Sequence, residues 1–220
     1  MFCILKSPSV TSGKHNQAEP DLATDILLQV NNTMALERDI IIKNPYGFHI
    51  RPIQRFTQLA KAFASDIEVT IGGKHVPGKS IVHLMTLQGK CGSEMRIRII
   101  GPDESQAMAI LGYLSENQFF VEDELNSEDY PTRHMKRLVE FARAFKSEIT
   151  VSYGGDSCNA KELTSVLALG FEPWEKPDLS ACGEDAQQAL SIMNTLLKYN
   201  FFVEEDFEDK KSALASKPGE

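Results

Sequence analysis

Arg55-Phe-Thr-Gln-Leu-Ala-Lys-Ala-Phe-Ala-Ser-Asp-Ile-Glu-Val-Thr-Ile-Gly-Gly73 is answered 82 residues later by Arg137-Leu-Val-Glu-Phe-Ala-Arg-Ala-Phe-Lys-Ser-Glu-Ile-Thr-Val-Ser-Tyr-Gly-Gly155. The register continues without a gap through Gly101/Gly183, Asp103/Asp185 and Phe119-Phe120-Val121-Glu122 against Phe201-Phe202-Val203-Glu204. Of the 75 positions from 51 to 125, 22 are identical to their partner, and many others exchange like for like. A period this long exceeds a solenoid repeat and suits two copies of one small domain.

Each copy parses by its hydrophobic period. In copy one Ile40, Ile41 and Ile42 form a β-branched run that stops at Asn44-Pro45 and predicts a strand. Ile53, Phe56, Ala60 and Phe63 then recur at helical spacing, as Leu138, Phe141, Ala142 and Phe145 do in copy two. Ile67, Val69 and Ile71 alternate, and Gly72-Gly73 (with Gly154-Gly155) predicts a hairpin into a short strand. Ser80 to about Gln88 suits a short helix, and Met95, Ile97 and Ile99 alternate against Arg96 and Arg98 as a half-exposed strand. Asp103-Glu-Ser-Gln106 and Asp185-Ala-Gln-Gln188 read as capping boxes that open a last helix. The predicted order is β-α-β-β-α-β-α twice, an α+β fold with an antiparallel sheet and helices on one face.

Composition narrows the function. The 220 residues carry 23 Lys plus Arg against 31 Asp plus Glu, a net charge of −8, which disfavours a general nucleic-acid or anionic-membrane binder. No apolar run approaches the roughly 18 residues of a membrane span, and Met1-Phe2-Cys3-Ile4-Leu5 is too short for a signal-peptide core. Cys3, Cys91, Cys158 and Cys182 form no CxxC pair and are expected to be free thiols of a cytosolic protein; with the five histidines they make no metal-ligand set. No cofactor is implied.

Asn44-Pro-Tyr-Gly-Phe-His49-Ile-Arg51-Pro52 lies where the first strand gives way to the first helix. Pro52 fits a first helical turn, and Gly47 permits a tight approach to it. His49 is therefore placed at or beside the N-cap, near first-turn N–H groups and the positive end of the helix dipole. That setting disfavours an imidazolium and favours an anion held there, and Arg51 adds forked donors to phosphate oxygens. A nitrogen nucleophile so placed can accept a phosphoryl group. The plain alternative is a polar N-cap histidine with an incidental arginine.

Residues 37 to about 120 resemble HPr, the histidine-containing phosphocarrier of the bacterial phosphoenolpyruvate-dependent phosphotransferase system. The resemblance is carried by Gly47-Phe48-His49-Ile50-Arg51-Pro52 with Asn44 upstream, and by Gly78-Lys79-Ser80-Ile81-Val82-His83-Leu84-Met85-Thr86-Leu87 at the family's second signature. It implies two open-faced β-sandwich domains. It also implies that His49 takes a phosphoryl group from Enzyme I and passes it to IIA components, with Arg51 supporting the phosphohistidine. The chain would then be a transfer intermediate and not a self-sufficient enzyme. Ser80 is a favoured N-cap for the second helix; in many HPr proteins the serine there is also the target of an HPr kinase/phosphorylase, which makes that kinase a candidate partner. Ile81 and Met85 match the family's exposed partner patch, but an apolar pair at i, i+4 is equally a buried stripe. Both readings stand at this point.

Copy two lacks the chemistry. Pro131 replaces His49, Thr132 replaces Ile50, Arg133 keeps the arginine and His134 falls where Pro52 was. Glu162 replaces Ser80, and Phe171-Glu-Pro-Trp-Glu-Lys-Pro177 departs from the strand pattern. The expected organisation is a polar tail over 1–34, a phosphocarrier domain over 35–118, a degenerate copy over 119–209 and a tail over 210–220. Acidic stretches 122–129 and 204–209 are read as solvated faces. A purely regulatory or scaffold protein without phosphotransfer is the rival reading, favoured by the damaged second copy.

Overall fold

The computed structural model describes residues 35–120, 130–172 and 175–199. Copy one runs β1 (Leu36–Ile41), α1 (Ile50–Ala60), β2 (Asp66–Ile71), β3 (Lys74–Pro77), α2 (Ile81–Met85), β4 (Glu94–Ile100) and α3 (Glu104–Glu116). The strands form one antiparallel sheet in the order β1-β4-β2-β3. Alternation decides its faces. Met95, Ile97 and Ile99 are buried beneath the helices, while Arg96 and Arg98 stand on the opposite face. The register sets Arg96 against Asp39 and Arg98 against Glu37, and both pairs close, Arg96 Nε–Asp39 Oδ1 at 2.6 Å and Arg98 Nε–Glu37 Oε1 at 3.3 Å. The β2–β3 hairpin turns on Gly72 (φ 57°) and Gly73 (φ 77°), the two left-handed positions such a turn demands.

Copy two repeats this as α4 (Tyr130–Arg143), β5 (Glu148–Tyr153), β6 (Asp156–Asn159), α5 (Leu163–Ala168), β7 (Asp178–Cys182) and α6 (Ala186–Lys198), with the sheet order β6-β5-β7. β7 begins directly after Pro177, so the Phe171–Pro177 stretch precedes the ladder. The expected first strand of copy two, which the offset from Ile40–Ile42 places at 122–124, lies outside the described residues. Ahead of that segment Gln118, Phe119 and Phe120 form a left-handed turn at φ 54°, 57° and 56°. Copy one claims them. Arg55 Nη1 donates to the carbonyl oxygens of Phe119 (2.8 Å) and Phe120, and the Phe119 ring packs 5.2 Å from that of Phe48. The polar tail 1–34 with Cys3, the acidic stretches 122–129 and 204–209, the repeat Phe201–Glu204 and the C-terminal tail 210–220 lie outside the described residues.

The helix layers of the two copies face each other. α1 buries seven of its eleven residues, and α3 buries Ala107, Met108, Ile110, Leu111, Gly112, Leu114 and Ser115, more than a helix lying on a sheet alone can hide. The second cover comes from the other copy: α3 meets α4 and α1 meets α6. Tyr113 sets its ring 6.3 Å from Phe141 across this boundary, and one apolar core runs from Ile40 to Leu197.

The two capping boxes are also corrected. Asp103 and Asp185 are N-caps whose carboxylates make no capping bond. Asp103 instead accepts from the Ala64 (2.7 Å) and Ser65 (2.8 Å) amides, and Asp185 from those of Lys146 and Ser147, both at 2.9 Å. The glutamines reach across: Gln106 donates to Asp185 (3.4 Å) and Gln188 to Asp103. Equivalent residues thus exchange the same bond, the signature of a local two-fold relation between the copies. Burial pushes the Asp185 carboxyl up, but the bonds from Ser147, the two amides and Gln106 outweigh it and hold it at about 2. The same balance lowers Asp103. Among the described residues no helix is long and apolar enough to cross a membrane.

Candidate phosphohistidine site

The site is built on the loop between β1 and α1. Ile42 continues the strand inward, exchanging backbone bonds with Ser93 and Gly92. Asn44 is buried, and its Oδ1 accepts from Tyr46 N at 2.9 Å, an Asx turn, while its carbonyl accepts from Gly47 N at 2.9 Å. Gly47 stands at φ +74°, and a Cβ there would collide with the Gly89 carbonyl oxygen. That oxygen accepts from Phe48 N at 2.8 Å, so the loop is pinned one residue before His49.

His49 is the N-cap of α1 in an extended conformation (φ −103°, ψ −166°), and its carbonyl accepts from Ile53 N at 3.0 Å. Its imidazole makes no capping bond and lies edge-on to Tyr46, ring centroids 6.0 Å apart. A cap residue that does not turn its side chain back leaves the first-turn amides pointing outward, where the helix dipole is positive. Arg51 is exposed as the second helical residue, and Pro52 is the third, where its missing N–H costs no bond.

Ser80 is the N-cap of α2, accepting weakly from His83 N (3.5 Å) and facing His83 Nδ1 at 2.8 Å. The His83 contact was not foreseen from the sequence. Ile81 and Met85 part company: Ile81 is half-buried against the core, whereas Met85 is exposed. Large exposed apolar side chains concentrate on this side of copy one, with Tyr46 (79% exposed) and Ile50 on the loop and α1, and Val82 (74%) and Met85 on α2, which packs on α1.

In copy two Pro131, Thr132 and Arg133 lie within α4, and His134 is fully buried in that helix. Glu162 is the N-cap of α5, makes no capping bond, and accepts from Ser165 Oγ at 3.1 Å. Cys91, Cys158 and Cys182 are free thiols, and no group of three His, Cys, Asp or Glu among the described residues is placed to hold a metal. Sequence reasoning also missed Arg55, Gln118 and Phe119, which hold the site's loop from behind; the signal was the identity of Arg55 with Arg137.

An open-faced α+β domain that presents a histidine at a helix N-terminus, with an arginine on the same turn, has the groups that suit an anion held there. The family model for the PTS HPr component phosphorylation site matches residues 36–117 and again 125–199, so the chain belongs to the HPr family and holds two copies of its domain. Similar proteins include the phosphocarrier protein HPr of Cupriavidus necator, 39% identical over 84 residues (38% of this chain, 94% of that protein). The HPr of Xylella fastidiosa strain 9a5c is 37% identical over 84 residues, with the same coverage of both chains. Among solved structures, HPr from Thermoanaerobacter tengcongensis is 38% identical and covers 40% of this chain and 98% of its own, with a TM-score of 0.38.

Proposed function

We propose that His49 accepts a phosphoryl group from Enzyme I and hands it to an IIA-type acceptor, while copy two is a folded partner that carries no phosphate. The observation that supports this most is the His49 imidazole at the α1 N-cap, unused for capping, with Arg51 two residues on. In the first step the phosphorus–nitrogen bond of phospho-Enzyme I breaks as one to His49 forms; in the second the His49 bond breaks as the acceptor nitrogen attacks. The first-turn amides and the Arg51 guanidinium stabilise the phosphoryl oxygens, with Asn44, Gly47 and Pro52 fixing the backbone that presents them. Tyr46, Ile50, Val82 and Met85 supply the apolar surface on which both partners dock, and Ile81 supports it from beneath. Phosphorylation of Ser80 by an HPr kinase/phosphorylase would place negative charge beside that surface and weaken docking of acidic partners. A cytoplasmic location follows from this set of partners.

The test is incubation with phosphoenolpyruvate, magnesium and Enzyme I. The expected product is an acid-labile mass increase of one phosphate, lost in His49→Ala and kept in His134→Ala. No label on the parent chain would instead support a regulatory or scaffold role, the reading favoured by copy two, which keeps the fold without a histidine at the corresponding helix start.

A further inference from the structure

The turn between the copies touches both ends of the His49 loop. Gln118 Oε1 accepts from Lys43 N at 2.9 Å, just before Asn44, and the Phe119 ring packs against Phe48, just before His49. Three successive residues with side chains stand there in the left-handed region, a conformation that L residues leave unless it is held. It is held from both copies, by equivalent residues. Arg55 of copy one grips the Phe119 and Phe120 carbonyls, and the guanidinium of Arg137 of copy two lies 3.8 Å from the centroid of the Phe120 ring. Both arginines are buried, so neither contact is diluted by solvent.

We infer that Arg137 is a positioning residue for His49, acting from copy two through the left-handed turn Gln118–Phe120. The inference rests on the carrier reading of His49 and gives copy two a task in it. Releasing Phe120 lets the turn relax toward an ordinary backbone conformation. Gln118 and Phe119 then move, and the backbone from Lys43 to Gly47 and the Phe48 ring move with them. Because Phe48 stays tied to Gly89, the movement appears as a changed direction of the imidazole relative to the first-turn amides. Copy two would thereby set the geometry of a site to which it contributes no reacting atom.

The experiment uses full-length Arg137→Gln, Arg137→Lys and Gln118→Ala, with two readouts: the NMR titration midpoint of the His49 ring and the initial rate of His49 phosphorylation by Enzyme I. In Arg137→Gln the His49 midpoint is expected to shift by about half a unit and labelling to slow about tenfold. Arg137→Lys, which keeps a cation over the ring, should recover part of both. Gln118→Ala, which removes the acceptor for Lys43 N, should move both in the same sense by less. Unchanged His49 midpoints and rates in Arg137→Gln and Gln118→Ala overturn the inference. Should Arg137→Gln fail to fold, Gln118→Ala and Phe119→Leu decide by the same criteria. A parent chain that is not labelled overturns the carrier reading alone, since the titration still reads the coupling.

Discussion

Replacing Gly47 by alanine separates two costs that the structure combines at one residue. The first is conformational: at φ +74° an alanine costs about 1 kcal/mol. The second is steric, because the new Cβ runs into the Gly89 carbonyl oxygen, a backbone atom that cannot rotate away. Clearing that contact needs a shift of about 1 Å, which takes the 2.8 Å Phe48 N–Gly89 O bond out of range and forfeits about another 1 kcal/mol. With the disturbed packing of Phe48 against Phe56 and Phe119, the sum is about 3 kcal/mol. Since the same shift displaces His49, labelling by Enzyme I should fall about a hundredfold. Gly72→Ala is the control: φ is +57° there, but nothing lies within 4 Å of the added Cβ. It should cost about 1 kcal/mol and leave labelling untouched. Urea unfolding at neutral pH measures the first quantity and single-turnover phosphorylation the second. If Gly47→Ala costs no more than Gly72→Ala, the close approach to Gly89 does not fix the loop and the account of the site fails.

Three further outcomes follow from the packing. Gln188→Ala and Gln106→Ala should each lower urea stability, by about 1 kcal/mol and about 0.5 kcal/mol respectively, because Gln106 makes the longer bond at 3.4 Å. Both variants should still unfold in one transition, since the copies share a core. Asp185 is held at about 2, below the ordinary 3.8, so its contribution is present above pH 4 and is lost as pH falls toward 2. For this partly exposed group the loss should be about 1 kcal/mol, read as a falling urea midpoint and abolished in Asp185→Asn. Thiol titration with an aromatic disulfide should find Cys91 and Cys182, both exposed, reacting before Cys158, whose thiol burial pushes upward.

Much of the scaffold was legible because it obeys local periods. The alternation of Met95, Ile97 and Ile99 and the helical spacing of Ile53, Phe56 and Ala60 each named the buried face. His49 could be placed at the N-cap because Gly47 and Pro52 restrict the backbone on both sides of it. What escaped was long-range. Asp103 and Gln106 have capping-box spacing, but their partners lie across the molecule, and no local motif encodes the arrival of a second copy. Phe119 repeats as Phe201 in the offset, and nothing local in that pairing encodes its contacts with Phe48 and Arg55. The repeat itself contains a lesson. Polar residues identical in both copies (Arg55/Arg137, Ser65/Ser147, Lys79/Lys161, Asp103/Asp185) make structural contacts, among them Lys79 Nζ to Phe63 O and Lys161 Nζ to Phe145 O, both at 2.7 Å. His49 and Ser80, the two positions proposed to take a phosphoryl group, differ between the copies, whereas the supporting Arg51 is kept as Arg133.

The back-to-back helix layers have a consequence for how the protein behaves in a dilute cell. Two separate domains joined by such a surface would equilibrate between paired and single forms, and their pairing would track their abundance. Encoded in one polypeptide, the same surfaces meet at an effective concentration fixed by the covalent connection. The pairing of the two copies is thus independent of expression level, and the apolar outer stripe of α3 is never presented to solvent while the chain is folded.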